Sequence, residues 1–478
     1  MTETKTKTNR TLINISKKTF VQVTILLAAL LVAAIVLTYL VPKGAFGTLP
    51  DGEPDYLTYE PLPEQGGIPI LRGIFAPVLV FFSGDGLTLA MLSLFLFIIS
   101  AAFQVMNDMG GVRALLGAVS ARFSQRKKLL LVLLSLLFYC FGSVLGLVEE
   151  MLTMLPIVAA LCLMLGYDSF TGFLCCTISC GFGFAGAITN PFTVLLASQL
   201  IGVNPLEHIW LRVVVFVVMF ALLQGFLFLY LRRLKKDPGS SLTLAHDGEL
   251  RALGEQTAES DPAREEKARK VYAAFLLTAL ALIVVCSLVG ALRDYTVVVL
   301  IVYFLFGGIA AGLLVSGDPR AVLKSFGRGF VAALPTLVFI ALAASLKYVL
   351  VESRVLPTVV HQIDRLTAGK SVWTIALVIY LIVLLLEFFI SSSTAKAILL
   401  MGLLSMVNTG LSKQMLVLLY TFGDGYTNVL FPTSPVLLIS LSMIRVEYFT
   451  WVRKSALLFT LNFLLVLGFI VLGIAVGY

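Results

Sequence analysis

Charge is scarce in this chain: 13% of its 478 residues are Asp, Glu, Lys or Arg, against 59% hydrophobic, and the mean hydropathy is +0.98. That composition excludes an ordinary soluble domain. It also removes nucleic acid as the reason for the net charge of +8, because the basic residues have a topological explanation. Histidine is scarcer still, and His208, His246 and His361 all fall in predicted loops, where they read as solvated surface. Cysteine is sparse and confined to apolar runs, at 140, 162, 175, 176, 180 and 286. Cys176 and Cys180 share a helix face, yet no His or carboxylate stands at ligand spacing beside the cluster, so buried apolar thiols are expected rather than a metal centre. Nor is there a polar stretch long enough to hold a core of its own. The longest, Arg232 to Lys270, is mixed in charge and reads as a linker.

What the chain has in quantity is apolar runs of about 20 residues, the length that crosses a bilayer. Spans are predicted at 19–41, 86–108, 211–231, 271–291, 295–316, 330–351 and 456–478. Between them lie a re-entrant hairpin at 129–166, a broken span at 172–200, a second hairpin at 372–408 and a second broken span at 414–441. The arms of the first hairpin, Leu129 to Cys140 and Met154 to Leu165, look too short to cross. The run at 19–41 has no evident cleavage site after it and reads as a membrane helix rather than a signal peptide. Pro42 to Gly67 is expected to be an acidic, Pro-rich external loop, and Ile68 to Ser83 an interfacial segment whose counterpart is Asp318 to Gly329.

Of the 35 Lys and Arg residues, 25 fall in the segments 1–18, 109–128, 232–270, 317–329 and 442–455, and eight in the alternate loops. This bias places the N-terminus in the cytoplasm and opens the two hairpins to opposite sides. The expected organisation is a cytoplasmic tail (1–18), a first inverted repeat (19–231), a cytoplasmic linker (232–270) and a second inverted repeat (271–478). A shared offset supports it. Glu149-Glu150, Gly181 and Thr189-Asn190-Pro191 recur 244 residues later as Ser393-Thr394, Gly425 and Thr433-Ser434-Pro435. Two hydrophobic halves broken at matching places are the pattern of a transporter whose interrupted helices meet near the bilayer midplane.

The interruptions carry the candidate site. Glu149 and Glu150 at the first hairpin tip are carboxylates at membrane depth, suited to an ion, a proton or a cationic group, unless the tip reaches water. Gly181 to Pro191 can unwind and offer carbonyls, with Thr189 and Asn190 beside them, although a simple proline kink has the same signature. Ser391, Ser392, Ser393 and Thr394 crown the second hairpin, where a helix start would aim free amides at an anion; hydroxyls there are also ordinary caps. Lys396, two residues into that helix, is unfavourable for the helix dipole and calls for an anionic partner. Asp424 and Asn428, followed by Thr433 and Ser434, make the densest polar run in the hydrophobic half. Glu387 and Lys347 are weaker candidates. A sodium ion is conceivable at Gly186, Asn190, Asp424 and Asn428; no other cofactor is implied.

Gly-Phe-Ala-Gly-Ala-Ile-Thr-Asn-Pro-Phe-Thr at 183–193, Glu149-Glu150 ahead of it, Phe-Gly-Asp-Gly-Tyr-Thr-Asn at 422–428 and Pro-Thr-Ser at 432–434 resemble the YfcC-like branch of the C4-dicarboxylate anaerobic carrier (DcuC-type) family. The resemblance covers nearly the whole chain. It implies an all-α polytopic membrane protein of the ion transporter superfamily, commonly a homodimer of elevator type. Where the family pattern leads one to expect Ser-Gly-Ser-Gly-Gln near the second hairpin tip, this chain has Ser-Ser-Ser-Thr-Ala-Lys. Local charge also argues against reading dicarboxylate literally, since Glu149, Glu150 and Asp424 repel a divalent anion unless sodium ions or protons offset them. The branch is linked to basic amino acid exchange, so the expected cargo is an amino acid, with Lys396 mimicking a bound sodium ion. The alternative is a sodium- or proton-coupled dicarboxylate carrier in which Lys396, Asn190 and Asn428 bind carboxylates. Tyr167-Asp168 and Gly423-Asp424 match part of an intramembrane protease signature, but residue 421 is Thr and the Pro-Ala-Leu element is missing, so no enzyme is expected.

Overall fold

The computed structural model describes residues 17–48, 54–63, 66–123, 125–248, 262–289, 292, 295–367, 369–406 and 409–478. The tail predicted over 1–18 and the middle of the linker fall almost wholly outside them. Among the described residues, eight helices are long and apolar enough to cross a membrane by length and composition.

Helix α1 (Lys17–Leu40) leads into a β-hairpin, β1 (Gly44–Thr48) with β2 (Pro54–Pro61), and then the short α2 (Ile70–Ile74) and α3 (Ala76–Leu79). Next come α4 (Gly86–Asp108) and α5 (Gly111–Arg122), then the first helical hairpin of α6 (Lys127–Cys140) and α7 (Met151–Met164). The first broken span is α8 (Ser169–Phe173), α9 (Ser179–Ala185) and α10 (Leu196–Ile201), followed by α11 (Ile209–Lys236). Beyond the linker lie α12 (Pro262–Leu288), α13 (Thr296–Ser316), α14 (Pro319–Glu352) and α15 (Leu356–Thr367). The second hairpin is α16 (Val372–Phe389) with α17 (Ser393–Met406), the second broken span α18 (Lys413–Gly425) with α19 (Pro435–Met443), and α20 (Tyr448–Ala475) is last.

The breaks are made by side chains that stand in for lost backbone partners. Pro191 and Pro435 each restart a helix at a position where a missing N–H costs nothing. The residue before each proline caps the restart: Asn190 Oδ1 accepts the Phe192 and Thr193 amides, and Ser434 Oγ accepts that of Leu437. Asp168 and Ser412 cap the first helices of the two broken spans in the same way. Both cap pairs are 244 residues apart, as are the ends of α4 and α14 at Asp108 and Glu352.

Helices α1, α4, α12, α13 and α14 pack on one another, and the two helical hairpins pack with the broken spans, α11 and α20 as a second group. Where α9 crosses α18, Gly425 leaves room for the Ala185 backbone and Gly181 leaves room for Val429. A shift of 244 residues turns one contact into the other.

Four expectations need correction. The first arm of the first hairpin is not short: a π-helical turn, Phe141–Leu145, extends α6 to 19 residues, enough by length to cross. Pro42 to Gly67 is not a plain loop; its Thr- and Tyr-rich centre forms β2, with Pro54 and Pro61 at the strand ends where a missing N–H is tolerated. Asp318 to Gly329 is not a separate segment, because Asp318 caps α14 and the helix runs unbroken to Glu352. His361 and His246 are not loop residues: His361 lies in α15, its ring stacked on Tyr59 at 4.1 Å, and His246 lies in a short helical turn, 244–248.

Candidate functional site

Lys396 is fully buried, with none of its side chain exposed, and it lies between Glu387 on α16 and the equally buried Asp424 on α18. Its Nζ is 2.6 Å from Asp424 Oδ1 and pairs with Glu387 Oε2. Ser393 Oγ donates to Asp424 Oδ2 at 2.7 Å, and the Tyr420 hydroxyl donates to the Ser393 carbonyl. Asn428 Nδ2 donates to the Asp424 carbonyl at 2.7 Å and to that of Gly425 at 3.3 Å. The hairpin tip, its first arm and the broken span are therefore joined around one cation and two carboxylates. In low dielectric that arrangement holds only while the charges stay paired.

The corresponding place in the first half is neutral. Ser143 Oγ donates to the Gly186 carbonyl at 2.8 Å, Asn190 Nδ2 donates to the Gly142 carbonyl at 3.0 Å, and the Ile188 and Thr189 amides reach the Ser143 carbonyl. The tip turns through Gly146 at φ 71°, against Asn190 and Phe192. Ser143 and Cys180 lie 244 residues before Glu387 and Asp424 in the sequence. One hairpin is held by neutral hydrogen bonds, the other by charge.

The remaining candidate residues divide by exposure. Glu150 begins α7 and is buried, while Glu149 beside it is half-buried. Ser391, Ser392 and Thr394 are exposed at the start of α17, with Ser392 Oγ accepting the Ala395 amide at 3.4 Å. Thr433 and Ser434 are buried at the α19 restart, and Thr189 is half-buried. Of the residues raised for a sodium ion, three have their oxygens engaged in protein hydrogen bonds and ion pairs: the Gly186 carbonyl by Ser143, Asn190 Oδ1 by two amides, and Asp424 by Lys396 and Ser393. Asp168 is a helix cap held by Thr171, Tyr230 and Ser241. Among the described residues no group of three His, Cys, Asp or Glu side chains could hold a metal ion.

Glu387 is only a weaker candidate by sequence, although a buried Lys nine positions away demands an anion, and the structure places it in direct contact with Lys396. Ser143 gave no signal except through the repeat, and Tyr420 none.

Long apolar helices, two of them broken, enclosing a fully buried ion cluster define a multi-pass membrane carrier. The chain belongs to the C4-dicarboxylate anaerobic carrier family, whose model matches residues 20–476. It is thus a secondary transporter and not an enzyme, working on a small-molecule substrate in a membrane. It is 28% identical over 404 residues to the "Putative basic amino acid antiporter YfcC" of Escherichia coli (strain K12), covering 80% of this chain and 77% of that one. An uncharacterized protein of Haemophilus influenzae is 22% identical over 368 residues, covering 75% and 70%. Among solved structures, the Alcanivorax borkumensis YdaH transporter aligns with a TM-score of 0.45 at 14% identity, over 95% of this chain and 99% of that one. Neisseria gonorrhoeae MtrF, described as illuminating a class of antimetabolite efflux pumps, aligns with 0.42 at 13%, over 94% of both.

Proposed function

We propose that this chain exchanges basic amino acids across the cell membrane, with Lys396 serving as a built-in cation in place of a coupling ion. The observation that carries this reading is the enclosure of Lys396 between Glu387 and Asp424. A cation tethered to the protein offsets one of the two carboxylate charges in every state, so in this reading the carrier needs no sodium in that position. Both Asp424 oxygens are engaged, by Lys396 and Ser393, and the Glu149-Glu150 pair is assigned to the cationic end of the cargo. The exposed hydroxyls and amides around Ser391, Ser392 and Thr394 suit its carboxylate. The name of the Escherichia coli relative agrees with such a cargo.

In the same reading the halves are inverted repeats, the two hairpins are re-entrant from opposite faces, and the hairpin group moves as one body against the α1, α4, α12, α13 and α14 group, in a homodimer with the N-terminus in the cytoplasm. The reciprocal crossing of Gly181 on Val429 and Ala185 on Gly425 supports the two-fold relation. The second reading, a sodium- or proton-coupled carrier of C4-dicarboxylates, is favoured by the family's description, but Lys396 has its charge already matched by two acids and has little left for an anionic cargo.

Uptake of labelled arginine and labelled succinate into proteoliposomes, empty or preloaded with ornithine, with and without a sodium gradient, separates the two. Arginine entry that requires internal ornithine and ignores sodium is expected. Sodium-driven succinate entry would overturn the exchanger.

A further inference from the structure

The short helices α5 and α15 occupy equivalent places, each joining a long helix of the first group (α4, α14) to a hairpin of the second (α6, α16). They are anchored by different means. The start of α5 is held by α12: Gly111 has no side chain, and the Tyr272 ring fills the space a Cβ would take. The 244-residue shift carries that pair to Val355 and Ala28, a branched side chain where the glycine was and a methyl where the ring was. The second half cannot make the same joint.

The β-hairpin stands in its place. The Gly44 amide donates to the Arg354 carbonyl at 3.0 Å, and Thr358 Oγ1 to the Pro42 carbonyl at 2.7 Å. The Tyr59 hydroxyl is 2.8 Å from Thr358 Oγ1, and its ring stacks on His361. Arg354 sits at φ 55°, the position matching Gly110 at φ 83°; a non-glycine residue in that region costs energy and persists only where neighbours hold it, as Gly44 does. Both legs of the β-hairpin return to the first group: β1 follows α1 directly, and beyond β2 the Ile68 amide donates to Thr38 Oγ1 at 3.1 Å while the Tyr39 hydroxyl donates to the Ile68 carbonyl at 2.7 Å.

We infer that the β-hairpin is a clasp that fixes the second connecting helix, α15, to the first helix group, and that Tyr59, Thr358 and His361 are positioning residues for the movement of the second hairpin. The clasp holds the N-terminal half of α15, so the bend between the two bodies falls after it, at the turn through Gly369, φ 68°. This rests on the two-body reading above. Strand β2 also lies against α17, so the competing role is a lid that must open for cargo.

Two measurements separate these. In arginine–ornithine exchange by proteoliposomes, Tyr59→Ala and Thr358→Val each lower the maximal rate by at least about fivefold, the factor for one lost neutral hydrogen bond, at unchanged KM; Thr358→Val loses two such bonds and Tyr59→Ala loses one together with its stack on His361. A Tyr59→Cys/Thr358→Cys protein is slow in the same way and regains its rate when bridged by a short thiol cross-linker, the parent chain treated alike being unaffected. Unchanged rates in the single variants, or a bridged protein that stays inactive because the β-hairpin has to open, would overturn the clasp. Amide hydrogen exchange needs no cargo: Tyr59→Ala speeds exchange over 354–361 and leaves 111–118 as it was. If wild-type vesicles exchange no arginine, the cargo reading fails while the exchange measurement still decides the clasp; equal protection of 354–361 in variant and wild type sinks it.

Discussion

At the scale of single residues, Lys396 is held by its two acids as much as they are held by it. Removing one member of a buried ion pair leaves uncompensated charge and costs about 3–5 kcal/mol. Lys396→Ala should therefore lower the melting temperature of the purified protein sharply, and adding Asp424→Asn and Glu387→Gln should recover part of the loss. Recovery distinguishes charge imbalance from a hole left by the missing side chain, because the triple variant keeps the hole. If Lys396 does the work of a coupling ion, sodium should leave wild-type uptake unchanged; sodium dependence that is present in the wild type and vanishes in Lys396→Ala would contradict it. The need of Lys396 for an anion was legible in the sequence, since a cation in the first turn of a membrane helix opposes both the dipole and the bilayer. Which anions serve it was not, because Glu387 and Asp424 come from separate helices and only the fold brings them together.

At the scale of elements, the crossing of α9 and α18 is a tight joint next to the site. A methyl at Gly425 would meet the Ala185 backbone, which cannot turn aside as a flexible side chain can. Gly425→Ala should cost about 1–3 kcal/mol by overpacking, and Gly181→Ala, which meets only the Val429 side chain, should cost less. Unfolding of both variants in mild detergent tests that order, and equal losses would mean the joint yields as a whole. The breaks themselves were readable where Gly and Pro cluster with polar residues inside an apolar run; a single proline such as Pro335 leaves α14 unbroken. The connecting helices and the β-hairpin were not. α5 and α15 are too short and too mixed in polarity to stand out from polar loops, and the strands depend on pairing partners that no local pattern announces. The π-helical turn that lengthens α6 likewise follows from how its residues pack on α9.

For the whole molecule, the strongest signal in the sequence was the distribution of Lys and Arg, which acts during insertion and leaves no trace in a chain seen without its bilayer. The fold gives an independent constraint on it: the β-hairpin clasps the end of α14 and the start of α15, while the residues after α11 fold back on the start of α8, where Asp247 accepts the Ser169 amide at 3.1 Å. With the N-terminus in the cytoplasm, the first of these lies outside and the second inside. Thr58 and Ser240 are exposed or half-exposed at these two places and are suited to replacement by cysteine. A membrane-impermeant maleimide applied to intact cells should label Thr58→Cys at once and Ser240→Cys only after permeabilisation, the parent chain with its native cysteines remaining unlabelled. The reverse pattern would invert the molecule and put the clasp in the cytoplasm. Labelling of both sites from outside would mean that the two ends are not on opposite faces, and the inverted arrangement of the hairpins would fall with it.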